Sequence, residues 1–191
     1  MKILQKICFV LLMIMFLSSC SSVRSVYRGD CFKDKDIDDC RVKAEQGNPR
    51  AQLLLGALYL KGKGFFISSK EAVKWVRKSA EQGYARAQYL LGVMYFDGRG
   101  VSKDYKEALW WLRKAAIQGI VDSQLKVGVI YGGELPGVSK DYVMAHMYFN
   151  IAAVGGSKDA IKNRDVIEKK MTPSQIEEGQ DLARVWMRNH Q

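Results

Sequence analysis

The sequence predicts an all-α fold, a short solenoid of stacked helical hairpins closed by a C-terminal helical cap. Two observations carry this. The stretch from Ala80 to Gly119, AEQGYARAQYLLGVMYFDGRGVSKDYKEALWWLRKAAIQG, has a copy upstream, where AEQGNPRAQLLLGALYLKGKG begins at Ala44 and EAVKWVRKSAEQG ends at Gly83. Downstream, Gly119, Gln124, Gly128 and Tyr131 follow Gly83, Gln88, Gly92 and Tyr95 at an offset of 36. Self-similarity of this length marks one supersecondary unit stacked on the next. Within each copy, apolar residues recur at spacings of three and four and glycines end the runs, which is the pattern of paired amphipathic helices.

The chain begins differently. Lys2 and Lys6 flank the start of an unbroken apolar run from Ile7 to Leu17. Eleven residues fall short of the roughly 18 to 25 a membrane-spanning helix needs, so the run reads as a signal-peptide core. The alternative, a buried N-terminal helix, would need an amphipathicity this run lacks. It ends in Leu17-Ser18-Ser19-Cys20, which resembles the lipobox of a bacterial lipoprotein. The resemblance implies loss of residues 1–19 and lipidation of Cys20, whose sulfur is the nucleophile that takes the diacylglycerol. Acyl chains carried by such a residue anchor stably where one myristate does not. Ser21 rather than Asp resembles lipoproteins sent to the outer membrane, facing the periplasm.

Four cysteines then sort by place. Cys8 leaves with the signal and Cys20 takes the lipid, which leaves Cys31 and Cys40. An even pair nine positions apart in an oxidising compartment reads as a disulfide. A zinc site would need more ligands, and His146 and His190 are remote. Residues 20–29 form a tether. Residues 30–46 form an N-terminal capping helix region, in which Asp36 and Asp39 stand where the fuller repeats have alanine and tryptophan. That helix packs less well, and a Cys31–Cys40 bridge would compensate by about 2–3 kcal/mol through the unfolded state.

Residues 47–156 hold the repeats. Pro49 opens the first helix, with Ala51, Leu54, Leu55, Leu58 and Tyr59 as its stripe and Gly62 and Gly64 as its stop. Ser68 and Glu71 form a capping-box pattern before Ala72, Val73, Trp75, Val76, Ser79 and Ala80. The second unit repeats this with Ala87, Leu90, Leu91, Met94 and Tyr95, then Ala108, Leu109, Trp111, Leu112, Ala115 and Ala116. Gly56, Gly92 and Gly128 lie inside helices, where glycine costs about 1 kcal/mol against alanine. Their recurrence implies close helix approach, with Ala72 and Ala108 as small partners. The third unit has a connection one residue longer, GGELPGVSKD, so its second helix follows at an offset of 37.

Residues 157–191 cover the open end. Lys158 to Lys170 is a helix with Ala160, Ile161, Val166, Ile167 and Met171 as apolar material. Thr172-Pro173-Ser174-Gln175 starts another, expected to bury Ile176, Leu182, Ala183, Val185 and Trp186.

The pattern from Ala87, Gln88, Leu91, Gly92 and Tyr95 through Gly98, Gly100, Val101 and Asp104 to Ala108, Trp111, Ala115, Ala116 and Gly119 resembles the Sel1-like repeat, a relative of the tetratricopeptide repeat. The resemblance covers about Arg41 to Gln191. It departs at Ser68 and Phe65 in the first copy and at Ser123, Val127 and Tyr148 in the third. It implies a right-handed αα-solenoid that binds other proteins and catalyses nothing. Members include envelope scaffolds, regulators, and exported immunity partners that neutralise antibacterial effectors such as phospholipases.

Sites follow from that architecture. In such solenoids the first helices line the concave face, which presents Arg50, Leu53, Ala57, Arg86, Tyr89, Val93, Phe96, Asp122 and Lys126 to a protein partner. Arginines and aromatics are the usual anchors of binding surfaces. The alternative is that these side chains touch the next repeat. Trp110 lies outside the core register that Trp111 occupies and is a further candidate contact.

The chain has 30 Lys+Arg against 20 Asp+Glu; without Lys2 and Lys6 the excess is 28 against 20, or +8. For an exported chain this favours an acidic protein surface, with peptidoglycan or anionic lipid as the alternative class. The basic residues are dispersed without an arginine-rich arm, which argues against nucleic acid. Asp34, Asp36, Asp38 and Asp39 lack an EF-hand's glycine and glutamate, and the Gly-x-Gly turns lack a P-loop's ending. No cofactor or metal is expected.

Overall fold

A computed structural model describes residues 37–62 and 66–190. The signal run, the lipobox with Cys20, the tether, Cys31, Phe65 and Gln191 lie outside the described residues. The helices are α1 (Ile37–Glu45), α2 (Pro49–Lys61), α3 (Ser69–Glu81), α4 (Ala85–Asp97), α5 (Tyr105–Ile117), α6 (Val121–Gly132), α7 (Tyr142–Val154), α8 (Lys158–Glu168) and α9 (Pro173–Asn189). Through α8 each packs mainly on its chain neighbours, so α2/α3, α4/α5 and α6/α7 are hairpins stacked in a row. The described residues contain no named β-strand; Leu135 and Val138 form an isolated bridge in the lengthened turn.

Each start and stop has a local cause. Asn48, Ser68, Asp104, Asp141, Ser157 and Thr172 accept a backbone N–H of the first turn ahead of them. Such caps contribute on the order of 1 kcal/mol each. Gly98 ends α4 in the left-handed region at φ 72°, where a side chain would strain. Of the predicted capping box at Ser68, only the serine half forms, because Glu71 turns to Lys74 at 2.6 Å. The box at Thr172 and Gln175 is complete.

The helical glycines are packing devices, as their recurrence implies, but the partners are larger than the expected alanines. A Cβ on Gly56 would stand 2.6 Å from Val76 Cγ2, on Gly92 2.6 Å from Leu112 Cγ, and on Gly128 2.5 Å from Phe149 Cε1. Ala72 and Ala108 contribute their carbonyl oxygens at 3.1 and 3.2 Å. Each glycine is thus a slot for the branched or aromatic side chain of the following helix.

A second periodic device is polar. Gln52, Gln88 and Gln124 are buried, and their side-chain amides donate to the carbonyls of Ala44, Ala80 and Ala116 at 3.0, 3.2 and 3.2 Å. Gln82 and Gln118 in turn donate to the side-chain oxygens of Gln52 and Gln88, both at 2.7 Å. Gln52 and Gln88, buried amides with both ends paired, hold one helical pair on the next at a fixed register; Gln124 keeps the donor half.

At the N-terminal end, α1 seats Cys40 and Ala44 against Ala51 and Leu55. Asp39 is buried and paired with Lys43 at 2.7 Å, so its charge is accommodated rather than repelled. At the other end α8 and α9 both pack on α7. The α9 face differs from expectation. Gly179 and Ala183 are buried and Ile176 and Trp186 half-buried, whereas Leu182 and Val185 are exposed. The stripe runs through Gly179 because His146 needs its room: a Cβ there would meet the imidazole Nδ1 at 2.7 Å. On α8, Ala160 and Ile167 face inward while Ile161 and Val166 face solvent.

Candidate interaction surface

The first helices α2, α4 and α6 set the predicted row of partner-facing residues. Arg50 and Arg86 are exposed in the first turns of α2 and α4. Neither first turn contains an acidic residue, and the positive end of the helix dipole disfavours a cation there. Arg86 has no hydrogen-bond or ion-pair partner among the described residues. The apolar members of the row are only half exposed. Tyr89, Val93 and Phe96 pack against the core cluster that contains Val127 and Ile130 of the third repeat, and Leu53 packs against that of Ala87 and Leu91. They therefore join repeats and also form the floor of the row. Lys126 sits 4.9 Å over the Phe96 ring. Burial, and then the charges of Asp122 and Asp97, push the Tyr89 phenol above its ordinary range.

Trp110 lies away from this row, on α5, half exposed and edge-on to Trp111 at 4.3 Å between ring centroids. Trp111 is buried beneath it. Around Trp110, α5 and the lengthened turn of the third repeat enclose an open depression lined by Leu109, Lys114, Ile117 and Val138, among others. Sequence reading singled out Trp110 without these neighbours. The available signal was the spacing of Lys106, Trp110, Lys114 and Ile117, which puts all four on one helix face.

His146 is fully buried and linked to charged groups. Arg164 donates to Asn150 Oδ1 at 3.1 Å, which orients the amide so that its Nδ2 donates to His146 Nδ1 at 3.0 Å. The ring proton then lies on Nε2 and donates to Glu168 at 2.8 Å. This histidine–carboxylate pair ties α7 to α8. It has no exposed face toward a substrate. Among the described residues no group of three or more His, Cys, Asp or Glu is placed to hold a metal. His190 is exposed at the end of α9, stacked on Trp186.

Stacked hairpins whose recurring polar groups serve packing define a non-catalytic protein–protein interaction module. Residues 49–84, 85–120 and 121–157 each match the Sel1 repeat. These matches span more than half of the sequence, and the chain belongs to the Sel1 repeat family. Two solved structures are similar. One is c5321 of uropathogenic Escherichia coli, described as a protective antigen displaying an SLR fold: 36% identity, TM-score 0.74, 83% of this chain covered. The present chain spans only 34% of that protein's length. The other is a Sel1 repeat protein from Oxalobacter formigenes, at 37% identity and TM-score 0.62, covering 69% of this chain and 98% of that one. No curated protein matches the chain. Among the described residues no helix is long and apolar enough to cross a membrane.

Proposed function

We propose that the protein is an envelope lipoprotein, anchored through Cys20 and facing the periplasm, whose solenoid binds an acidic surface of another protein. The observation that carries the binding site is Arg86. It is an exposed cation without a partner among the described residues, held in a helix turn whose dipole disfavours it. Arg50, exposed but not without interactions of its own, stands at the same register one repeat earlier. Fixed positive charge along one row steers and orients an acidic partner. Similarity to a protein described as a protective antigen favours export. Residues 20–29 tether the domain, and Cys31 pairs with Cys40, which lies buried at the base of the stack.

Within this role the finer reading is immunity: the solenoid occludes an antibacterial effector, such as a phospholipase, delivered into the periplasm. The short Sel1 array and lipid anchor suit a stoichiometric inhibitor held where the effector arrives. The test is capture of periplasmic protein by the purified chain, compared with Arg86→Glu and Arg50→Glu. Charge reversal of Arg86 is expected to weaken capture by about tenfold or more. Retention by both variants would remove this row as the site. Metabolic labelling with palmitate, lost in Cys20→Ala, tests the anchor. Survival of cells expressing a periplasmic phospholipase, dependent on this protein, tests immunity against a scaffold role.

A further inference from the structure

The face of α5 that carries Trp110 has an internal counterpart whose occupant is visible. Because the third connection is one residue longer, Met147, Asn150, Ile151 and Val154 of α7 correspond to Trp110, Arg113, Lys114 and Ile117 of α5. The α7 face is covered at Met147 and Ile151, while Val154 at its end, the counterpart of Ile117, stays 74% exposed. Met147 and Ile151 share a core cluster with Ala183, and Trp186 and Met187 of α9 pack against it, while Gly179 of α9 rests on the neighbouring His146. In the first repeat the corresponding residues are Lys74, Arg77, Lys78 and Glu81, a charged face in which Lys74 pairs with Glu71, Arg77 donates to the Tyr95 hydroxyl and Lys78 lies over the Trp75 ring. On α5 the contrast falls at Trp110, which is 50% exposed where its counterpart Met147 is buried, and which has no cover within the described residues; Ile117 lies beside it, also exposed.

The chemistry of the missing cover can be read from the rim. The depression of about 610 Å³ has Trp110, Ile117 and Val138 as apolar surface. Its charged lining residues are Lys106, Arg113 and Lys114, with no carboxylate. The Lys114 ammonium sits 4.3 Å over the Trp110 ring, and Lys106 lies along Gly137, whose φ of 80° and missing side chain leave it room. Arg113 is partly engaged, since its charge acts on the Tyr148 phenol. Among the described residues the two lysines have no salt bridge to a carboxylate.

We propose that this face of α5 is a docking platform for an acidic amphipathic helix of a partner protein, seated as α9 is seated on α7. The proposal rests on the interaction-module reading above and assigns it a second site, on the opposite helix row from Arg86. Apolar residues one helical turn apart on the partner contact Trp110, Ile117 and Val138, and flanking carboxylates meet Lys106 and Lys114. Tryptophan is a usual anchor at the centre of an interface, an amphipathic helix docks by its apolar face, and charge at the rim selects the sign of the partner.

The test uses the full chain in detergent and a fluorescein-labelled helical peptide. The peptide carries leucine and tryptophan at helix-face spacing, flanked by glutamates; a twin has lysine for every glutamate. Fluorescence anisotropy is expected to show saturable binding of the acidic peptide, at least tenfold weaker binding of the twin, and weakening with salt. Trp110→Ala and Lys114→Glu should each reduce affinity by about tenfold. Lys114 is exposed, so its variant keeps the test valid if the tryptophan variant unfolds. Equal binding of the two peptides, or an unchanged affinity in Lys114→Glu, overturns the proposal. So does displacement of the peptide by phosphatidylglycerol vesicles, which would make the face a lipid contact. Arg86→Glu should leave peptide binding unchanged, so failure at the α4 row and failure here are separate results.

Discussion

Replacing Gly92 by alanine separates helix propensity from packing. An alanine in an exposed helix interior is favoured over glycine by about 1 kcal/mol. At Gly92 the added methyl would stand 2.6 Å from Leu112 Cγ, 3.0 Å from its Cδ2 and 3.2 Å from the Ala108 carbonyl oxygen. Leu112 is fully buried, so swinging its Cγ away about χ1 would push it into filled core, and the Ala108 carbonyl oxygen can move only with α5. Overpacking of a filled core costs about 1–3 kcal/mol; contacts this short, one of them to a backbone oxygen, put Gly92 in the upper part of that range, about 2–3, and the propensity gain returns about 1. The expected net loss is on the order of 1–2 kcal/mol, or about 3–6 °C in Tm for a chain of this size. Gly132→Ala is the internal control, because its Cβ would meet Ala145 Cβ at an ordinary 3.6 Å. That variant should be neutral or slightly stabilised. Thermal and urea unfolding followed by circular dichroism measures both. A Gly92→Ala protein as stable as the parent would refute the slot argument and reduce these glycines to sequence habit.

Gln88→Leu removes two hydrogen bonds, the one it donates to Ala80 and the one it accepts from Gln118. The Ala80 carbonyl keeps the Gly83 N–H, so the loss is that of the two bonds, about 0.5–1.5 kcal/mol each, or about 1–3 kcal/mol in urea unfolding. Gly179→Ala sets a methyl against His146 Nδ1, so amide exchange should accelerate along α9 while α4 and α5 stay protected; uniform protection would contradict this. Burial raises the Tyr148 phenol, with Tyr131 adding to it and Arg113 opposing. A group whose folded-state value lies above the unfolded one contributes stability below about pH 10 that is lost as pH rises through the folded value. Tyr148→Phe should therefore flatten the alkaline decline in stability above that pH, and an unchanged pH slope would argue against it.

Some residues could be read directly and others only after folding. Gly92 announced a close approach by recurring at 36-residue intervals, yet Leu112 as the side chain in the slot emerged only from the packed hairpin. The glutamine ladder was present in the sequence at positions 52, 88 and 124, but a polar residue at helix spacing does not reveal that it spans two repeats. Phe96 and Val93 show the limit clearly. Their apolarity serves both a partner-facing floor and an inter-repeat joint, and the contact with the third repeat's core identifies the joint.

What the sequence determined alone was the repeat, its helical period, its caps and its end signals, because these depend on residues within one turn or one period of each other. What only the tertiary structure decided was which faces are covered. Leu182 and Val185 face water while Gly179 is buried, because α9 is placed by the room His146 requires. Trp110 remains open for the converse reason: no α9 crosses α5. Burial belongs to pairs of elements, and the pairing of α9 with α7 rather than α8 is set by three-dimensional fit, which no local periodicity encodes.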